Sequence, residues 1–165
     1  MYNFIFIRGA QGTGKTTLTR LLKEKLNSVN IDFDWIRGFH LNRDWTNVSE
    51  AEEELTVENL VLLLKNYAKH DYYNVIIGGG VSEKLLEQLK RYKTIVFTLY
   101  LRDDEILKQR VLTETRDSGF RDYKTAIENN EKYRTESHFP NNHKIDSTDQ
   151  TPEETASEIV TIINR

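Results

Sequence analysis

The sequence predicts a three-layer α/β/α domain built on a five-stranded parallel sheet. Short apolar runs alternate along the chain with longer segments in which apolar residues recur at helical spacing. The longer segments have the length of the right-handed crossovers that join parallel strands. A glycine-rich loop follows the first apolar run and directly precedes the first helical segment. With 165 residues the chain can bury its own core, so we expect residues 1–165 to form a single domain.

The predicted elements follow this alternation in chain order. The first strand is apolar, aromatic and β-branched, as expected of a strand buried on both faces. Strands are predicted at Tyr2 to Arg8, Ile31 to Arg37, Asn74 to Ile77, Thr94 to Leu101 and His143 to Ile145. Helices are predicted at Gly14 to Ser28, Glu50 to Lys69, Ser82 to Tyr92, Asp103 to Arg116, Arg121 to Ser137 and Pro152 to Asn164. Ligands of such sheets bind outside the carboxyl ends of the strands, so the candidate functional residues lie at those ends.

The loop after the first strand matches the phosphate-binding pattern G-x-x-x-x-G-K-[ST]. Its glycines permit a tight turn whose backbone N–H groups point at phosphate oxygens. Lys15 can reach the β- and γ-phosphates, and the Thr16 hydroxyl can bind Mg²⁺. We therefore predict ATP and Mg²⁺ as cofactors, with the nucleotide bound by Gly9, Ala10, Gln11, Gly12, Thr13, Gly14, Lys15, Thr16 and Thr17.

The second strand carries candidate acidic side chains near its end. Its apolar residues Ile31, Phe33 and Trp35 alternate with Asp32 and Asp34, which is typical of a strand with one apolar face. Asp34 is a candidate ligand of a Mg²⁺-bound water, or a base for an acceptor hydroxyl. The alternative is an edge strand whose acidic face is only solvated.

A polar and aromatic loop comes next, and it is predicted to lie over the γ-phosphate of the nucleotide. Arg37 and Arg43 are candidates for binding an anionic acceptor. Asp44 is a candidate for accepting a proton from the acceptor hydroxyl. The alternative is an ordinary surface loop, although functional residues are common on such loops.

Three glycines, Gly78, Gly79 and Gly80, follow the third strand. Because they lack Cβ atoms, they allow either close approach of a ligand to the backbone or a sharp turn of the chain. Many phosphate-loop proteins place an aspartate for Mg²⁺ at this strand end, and this sequence has none there. Ion coordination is therefore expected from Thr16, water and Asp34.

Together these motifs resemble shikimate kinase and its nucleoside monophosphate kinase-like relatives. The resemblance rests on four segments that occur in order over most of the chain: Gly9 to Thr16, Asp32-x-Asp34, Val75 to Gly80, and Ile145 to Asp149 before the last helix. It implies a P-loop NTPase fold and ATP-dependent phosphorylation of a small hydroxyl or phosphate acceptor. It also implies that the acidic pair holds the acceptor and the Mg²⁺ shell, and that the glycine triplet faces the acceptor.

The acceptor itself stays open at this point. Shikimate kinases carry arginines for the acceptor carboxylate in two helices, and the corresponding stretches here, Glu52 to Asn59 and Ile127 to Glu131, contain none. A nucleoside, a nucleotide, another small metabolite or an antibiotic hydroxyl all fit the same residues. The competing interpretation is a nucleotide-binding regulator or GTPase-like switch, against which stands the absence of an N-K-x-D guanine signature from the sequence.

A short lid is predicted around residues 110–122. Related kinases use one or two arginines of this helix against ATP, and Arg110 and Arg116 are the candidates here, with Gly119 as a flexible point. Arginine suits a transferring phosphoryl group because its guanidinium is planar, always charged and bidentate. The alternative for both is an ordinary pair with acidic neighbours on the helix surface.

Composition narrows the class of protein further. The chain has no cysteine, which excludes a disulfide scaffold and a thiolate metal site and fits a reducing cytoplasm. No apolar run is long enough to cross a bilayer, and the net charge of −3 argues against a broad surface for nucleic acid. We expect a cytoplasmic monomer or homodimer whose partner is a small-molecule acceptor.

Overall fold

The computed structural model describes residues 1–113, 119–136 and 139–165. Within these residues five strands form one parallel sheet in the order β2-β3-β1-β4-β5. Ile5 of the central strand pairs with Ile76 on one side and with Ile95 on the other. The strands are β1 (Phe4–Gly9), β2 (Asn30–Asp32), β3 (Val75–Gly78), β4 (Thr94–Tyr100) and β5 (Asn142–Asp146).

Helices connect the strands and cover both faces of the sheet. On one face, α1 and α7 pack on Ile5, Ile7 and Phe97. On the other face, α2, α3 and α4 pack on Phe4 and Phe6. The helices of the described residues are α1 (Lys15–Leu26), α2 (Phe33–Arg37), α3 (Glu50–Lys69), α4 (Glu83–Gln88), α5 (Asp104–Leu112), α6 (Tyr123–Thr135) and α7 (Pro152–Ile163). The predicted fold class, a three-layer α/β/α domain on a five-stranded parallel sheet, is confirmed.

The second strand is much shorter than predicted, because the chain turns into a helix after Asp32. The Asp32 carboxylate accepts a hydrogen bond of 2.9 Å from the Asp34 N–H, which caps α2. Phe33 and Ile36, three residues apart, are buried, whereas Trp35 is 71% exposed. The prediction of a strand from Ile31 to Arg37 is therefore wrong, since its second half buries side chains at helical and not at alternating positions.

Other elements differ from prediction at their ends. Helix α4 stops at Gln88 rather than at Tyr92, and α5 stops at Leu112, where Thr113 is already extended. The predicted end of that helix at Arg116 lies outside the described residues. None of the helices in the described ranges is long and apolar enough to cross a membrane.

A buried amide fixes α6 to the end of the fourth strand. Asn130 is fully buried, its side-chain oxygen accepts from the Leu101 N–H at 3.0 Å, and its nitrogen donates to the Leu101 carbonyl at 2.8 Å. Because both polar groups of the amide are satisfied, its burial carries no desolvation penalty from an unpaired group. The contact sets the position of α6 beside the carboxyl end of the sheet.

Candidate nucleotide and acceptor site

The phosphate-binding loop closes between β1 and α1 on its own backbone. Lys15 Nζ donates to the carbonyl oxygens of Gly9 and Ala10, at 2.8 Å each. The Thr13 hydroxyl also donates to the Ala10 carbonyl at 2.8 Å. Gly14 precedes α1 with φ of 92°, a left-handed conformation that favours glycine. The loop thus lies at the positive end of a twelve-residue helix, which is a favourable position for phosphate.

Gly12 brings the loop into contact with α5. A Cβ built at Gly12 would lie 2.8 Å from Val111 Cγ2 and 2.9 Å from Leu107 Cδ1. The missing side chain therefore lets the loop pack directly on a neighbouring helix, beside its role in the turn.

The other loop residues occupy the mouth of the site. Thr16 and Thr17 are exposed in the first turn of α1. The Gln11 side chain accepts a hydrogen bond of 3.4 Å from Asn129 of α6. The nine predicted nucleotide-binding residues, Gly9 to Thr17, are thus contiguous in space at one end of the sheet.

A cavity of about 250 Å³ opens beside the loop. Its walls come from three places: the loop and α1, the end of β4 with α5, and the segment that joins β5 to α7. The lining includes Gly12, Thr13, Gly14, Thr17, Arg110, Ser147, Gln150 and Thr155. A partly enclosed cleft with glycine backbone at one end and a few polar groups at the other suits the base and ribose of a nucleotide.

Arg110 belongs to this cavity. Its Nη2 donates to the backbone carbonyls of Ser147 and Thr148, at 3.2 Å each. Burial lowers the pKa of the Arg110 guanidinium, which still stays charged. The sequence predicts that Arg110 acts against ATP at the transferring phosphoryl group. The structure shows its guanidinium against the loop between β5 and α7, so that role stays a prediction.

The rest of the predicted lid is described only in part. Arg116 lies outside the described residues, as do its neighbours from 114 to 118. A Cβ built at Gly119 would have no atom of the described residues within 4 Å. The predicted role of Arg116 stays a prediction.

Asp32 lies at the carboxyl end of β2, at the same end of the sheet as the phosphate-binding loop. It pairs in register with Gly78 of β3 and is half-buried. Burial raises the pKa of Asp32, the hydrogen bond from the Asp34 N–H lowers it, and the charge of Asp34 raises it again. The positive charges of Lys15 and Arg20 also lower the pKa of Asp32, although its net shift is upward. Asp32 therefore lies within electrostatic range of the loop lysine. Sequence reasoning saw Asp32 only as a member of an acidic pair.

Asp34 and Arg37 form a separate cluster on α2. Arg37 pairs with Asp34 at 3.4 Å and with Glu53 of α3, and its guanidinium lies 3.9 Å from the centre of the Trp45 ring. The Asp34 side chain is 64% exposed, whereas that of Arg37 is 18% exposed. Arg37 is thus compensated by two carboxylates and an aromatic ring, and its Nε is buried with no hydrogen-bond partner among the described residues.

Arg43 and Asp44 lie on the exposed loop between α2 and α3. In the described ranges neither forms a hydrogen bond or an ion pair with the other predicted site residues. The loop is held at its root by His40, whose Nδ1 pairs with Glu52 and whose Nε2 lies 3.1 Å from the Thr56 hydroxyl. Trp45 has φ of 55°, a conformation that is rare for a large side chain.

Gly78 ends β3, and the chain then turns through Gly79 and Gly80 in a left-handed conformation. Gly79 and Gly80 have φ of 83° and 66°, and the Gly79 N–H donates to the Ile7 carbonyl at 2.9 Å. A Cβ at Gly80 would lie 2.2 Å from the ring of Phe33. Gly80 is therefore needed for packing against α2, while Gly78 and Gly79 stay partly exposed at the strand end.

Arg8, the penultimate residue of β1, is not among the site residues that the sequence predicts. Its side chain is 12% exposed and lies 3.6 Å from Glu136, with the Tyr133 and Phe139 rings nearby. The sequence does contain a signal for it: Arg8 is a charged residue in an otherwise apolar strand, and such a charge must face either solvent or a functional site.

The donor set of this site suits Mg²⁺. The Thr16 hydroxyl is exposed at the phosphate-binding loop and offers a hard oxygen ligand. Within the described residues no group of three His, Cys, Asp or Glu side chains could hold a metal ion. A protein that supplies few ligands fits an ion that keeps several waters and is held mainly by substrate phosphates.

The chain is similar to several known proteins. A family model described as an AAA domain matches residues 5–136. The shikimate kinase of Azobacteroides pseudotrichonymphae is 26% identical over 110 residues, which cover 66% of this chain and 65% of that protein. A Pyrococcus furiosus protein provisionally named adenylate kinase is 28% identical over 161 residues, which cover 97% of this chain and 83% of that protein. The chain thus spans just under two thirds of the shikimate kinase.

The fold has a close match among solved structures. An unliganded sugar kinase from Janibacter sp. HTCC2649 superposes with a TM-score of 0.73 at 13% identity, covering 99% of this chain and 95% of that one. The molecule thus has the fold and the phosphate-binding loop of a P-loop protein, as its sequence predicts, and it is similar to kinases in sequence and in fold. The chain belongs to the AAA domain family.

Proposed function

We propose that this chain transfers the γ-phosphoryl group of ATP to a hydroxyl group of a small-molecule acceptor. The observation that carries the proposal is the position of Asp32, a half-buried carboxylate at the end of β2 within electrostatic range of Lys15. It gives the site an acidic group on the acceptor side of the loop, opposite the cavity that fits a nucleoside. The kinase names of the relatives support the same activity.

The nucleotide half of the site rests on the loop and the cavity. The backbone N–H groups of the loop and the charge of Lys15 hold the phosphates, and the base lies in the 250 Å³ cavity beside Arg110. Thr16 would hold Mg²⁺, which when bound neutralises charge on the phosphates. The proposal assigns Arg110 to the base and ribose, since it is bonded to the carbonyls of Ser147 and Thr148.

The acceptor half of the site rests on Asp32. We assign Asp32, rather than Asp34 or Asp44, to orient the acceptor hydroxyl and accept its proton. Its raised pKa makes it a better proton acceptor than an exposed carboxylate. Asp34 is already paired with Arg37, and Asp44 is exposed on a loop. ATP and Mg²⁺ are abundant in the cytoplasm, so we propose that the protein acts in that compartment.

A coupled assay of ADP release tests this function. The acceptors are nucleosides, nucleoside monophosphates, shikimate, gluconate, a 5′-hydroxyl oligonucleotide and hydroxylated antibiotics, each with Mg-ATP. ADP release that depends on one acceptor and disappears in Lys15→Ala supports the proposal. Lys25→Ala, an exposed lysine of the same helix, is the control variant.

The regulator interpretation predicts a different outcome. A switch protein would show no acceptor-dependent release, and its melting temperature would rise more with GTP than with ATP. That pair of results would overturn the proposed transfer and support the regulator.

A further inference from the structure

Arg8 is a largely buried charge with little compensation. Its side chain is 12% exposed, and its Nη2 lies 3.6 Å from a carboxylate oxygen of Glu136, beyond good hydrogen-bond distance. The guanidinium carbon lies 4.3 Å and 4.7 Å from the ring centres of Tyr133 and Phe139. Among the described residues, the side-chain contacts of Arg8 are this ion pair and the two rings, with no hydrogen bond from its nitrogens.

The side chain lies on the acceptor side of the loop. Because side chains alternate along a strand, Arg8 shares the face of Phe4 and Phe6, which is covered by α2, α3 and α4. Arg8 directly precedes Gly9, and the carbonyl of its neighbour Ile7 accepts from Gly79. Arg8 therefore lies between the phosphate-binding loop, the glycine segment and α6.

Such a charge is costly unless it has a partner. Aromatic rings attract a guanidinium, but they leave its N–H groups without an acceptor in their plane. Arg37 shows the contrast, since it pairs with two carboxylates and lies over a ring. The guanidinium of Arg8 therefore offers coplanar N–H donors beside the acceptor half of the site. Such donors can form two parallel hydrogen bonds to one carboxylate or phosphate group.

We infer that Arg8 binds an anionic group, a carboxylate or a phosphate, on the acceptor molecule. The inference rests on the proposed function and narrows it: the acceptor carries an oxyanion as well as the hydroxyl that is phosphorylated. Glu136 competes with that group for Arg8, and the two rings hold the guanidinium in one orientation.

Anion binding to the protein loaded with MgADP tests this inference. Sodium sulfate and sodium acetate are titrated by calorimetry at constant ionic strength, since bound ADP fills the phosphate-binding loop. Arg8→Gln should weaken the affinity for the preferred anion at least about tenfold, as expected for a charge-assisted bidentate contact. Preference for sulfate would indicate a phosphate on the acceptor, and preference for acetate a carboxylate.

Three further variants make the result specific. Arg91→Gln removes one exposed charge before β4, at the amino end of the strands and away from the site, and should leave anion affinity within about twofold of wild type. Glu136→Gln should raise it about threefold, because the competing carboxylate is gone. Arg8→Lys keeps the charge but loses the planar guanidinium, and it should still lower the affinity for the anion. This variant tests the inference even if Arg8→Gln does not fold.

The outcomes separate this inference from the proposed function. Equal anion binding by wild type and Arg8→Gln, or none by wild type, would overturn the role of Arg8 and leave phosphoryl transfer standing. Failure of every variant, including wild type, to bind MgADP would overturn the proposed function itself.

Discussion

Arg110 of α5 donates to the carbonyl of Ser147, which directly follows β5. The bond joins the start of the predicted lid to the segment before α7, and the nucleotide cavity lies between them. Both partners contribute to the wall of that cavity. Because the acceptor is a backbone carbonyl, the contact depends on the arginine alone and not on a second side chain.

Arg110→Ala should therefore weaken nucleotide binding more than it slows chemistry. We expect KM for ATP to rise about tenfold with kcat within about threefold of wild type, since the lost bonds order the cavity wall. Steady-state kinetics at saturating acceptor measures both constants. Lys108→Ala on the same helix is the matched control. A large fall in kcat with unchanged KM would instead show that Arg110 acts on the transferring phosphoryl group.

Lys15→Ala should abolish phosphoryl transfer and leave the fold intact. Removal of a charge aimed at the transferring group is expected to lower kcat at least about a hundredfold. The bonds lost include those to the carbonyls of Gly9 and Ala10, which close the loop and belong to no helix, so the far-ultraviolet circular dichroism spectrum should not change. Full retained activity would contradict the assignment of the loop.

Asp32→Asn should lower kcat about a hundredfold, in line with the usual contribution of a general base. Asparagine keeps the side-chain oxygen that caps α2, so the helix should survive. Asp44→Asn is the matched comparison, with an expected change of less than about threefold. If Asp44→Asn proved the slower of the two, the base would lie on the loop after α2.

Asp32 should also make stability depend on pH. Burial raises its folded-state pKa above the ordinary value of 3.8, so between those two values the folded protein binds more protons than the unfolded chain. The free energy of unfolding from this group therefore falls as pH rises through that interval. Asp32→Asn should raise the melting temperature at about pH 7 and leave it unchanged at about pH 3. A lower melting temperature of Asp32→Asn at about pH 7 would mean that the carboxylate is stabilising.

Gly80→Ala should destabilise the fold, because its Cβ would meet the Phe33 ring and its φ is 66°. Overpacking at a buried contact costs about 2 kcal/mol, measured as the free energy of unfolding in urea. Gly119→Ala is the control, since no atom in the described part of the chain lies within 4 Å of the added Cβ, and it should change the free energy of unfolding by less than about 0.5 kcal/mol. Equal stability of both variants would mean that Phe33 moves freely.

The fold and the nucleotide loop could be predicted from sequence, because the strand, the loop pattern and the helix are contiguous and local. The end of β2 could not, since Phe33 and Trp35 fit an alternating strand whereas Phe33 and Ile36 fit a helix. The cap at Asp32 and the packing of Phe33 on Gly80 decide between them, and Gly80 lies 47 residues away in the chain.

The roles of the arginines depend on long-range contacts in the same way. Arg110 is defined by carbonyls 37 and 38 residues away, and Arg8 by the rings of Tyr133 and Phe139. A linear pattern reports which residues are charged and not which partners surround them. The helical spacing of Arg110 was equally compatible with a surface pair, a phosphate contact and a contact with the cavity wall.

The strand order also has a consequence for synthesis on the ribosome. Strand β1 is central in the sheet, and its neighbours β3 and β4 begin only at Val75 and Thr94. While the chain is being synthesised, β1 therefore has no neighbouring strand to pair with until those residues have emerged. Its sequence Phe-Ile-Phe-Ile is strongly β-prone and uncharged, which favours association between unfinished chains. The nascent chain thus exposes its most aggregation-prone segment until roughly a hundred residues have emerged, a period during which chaperones would protect it.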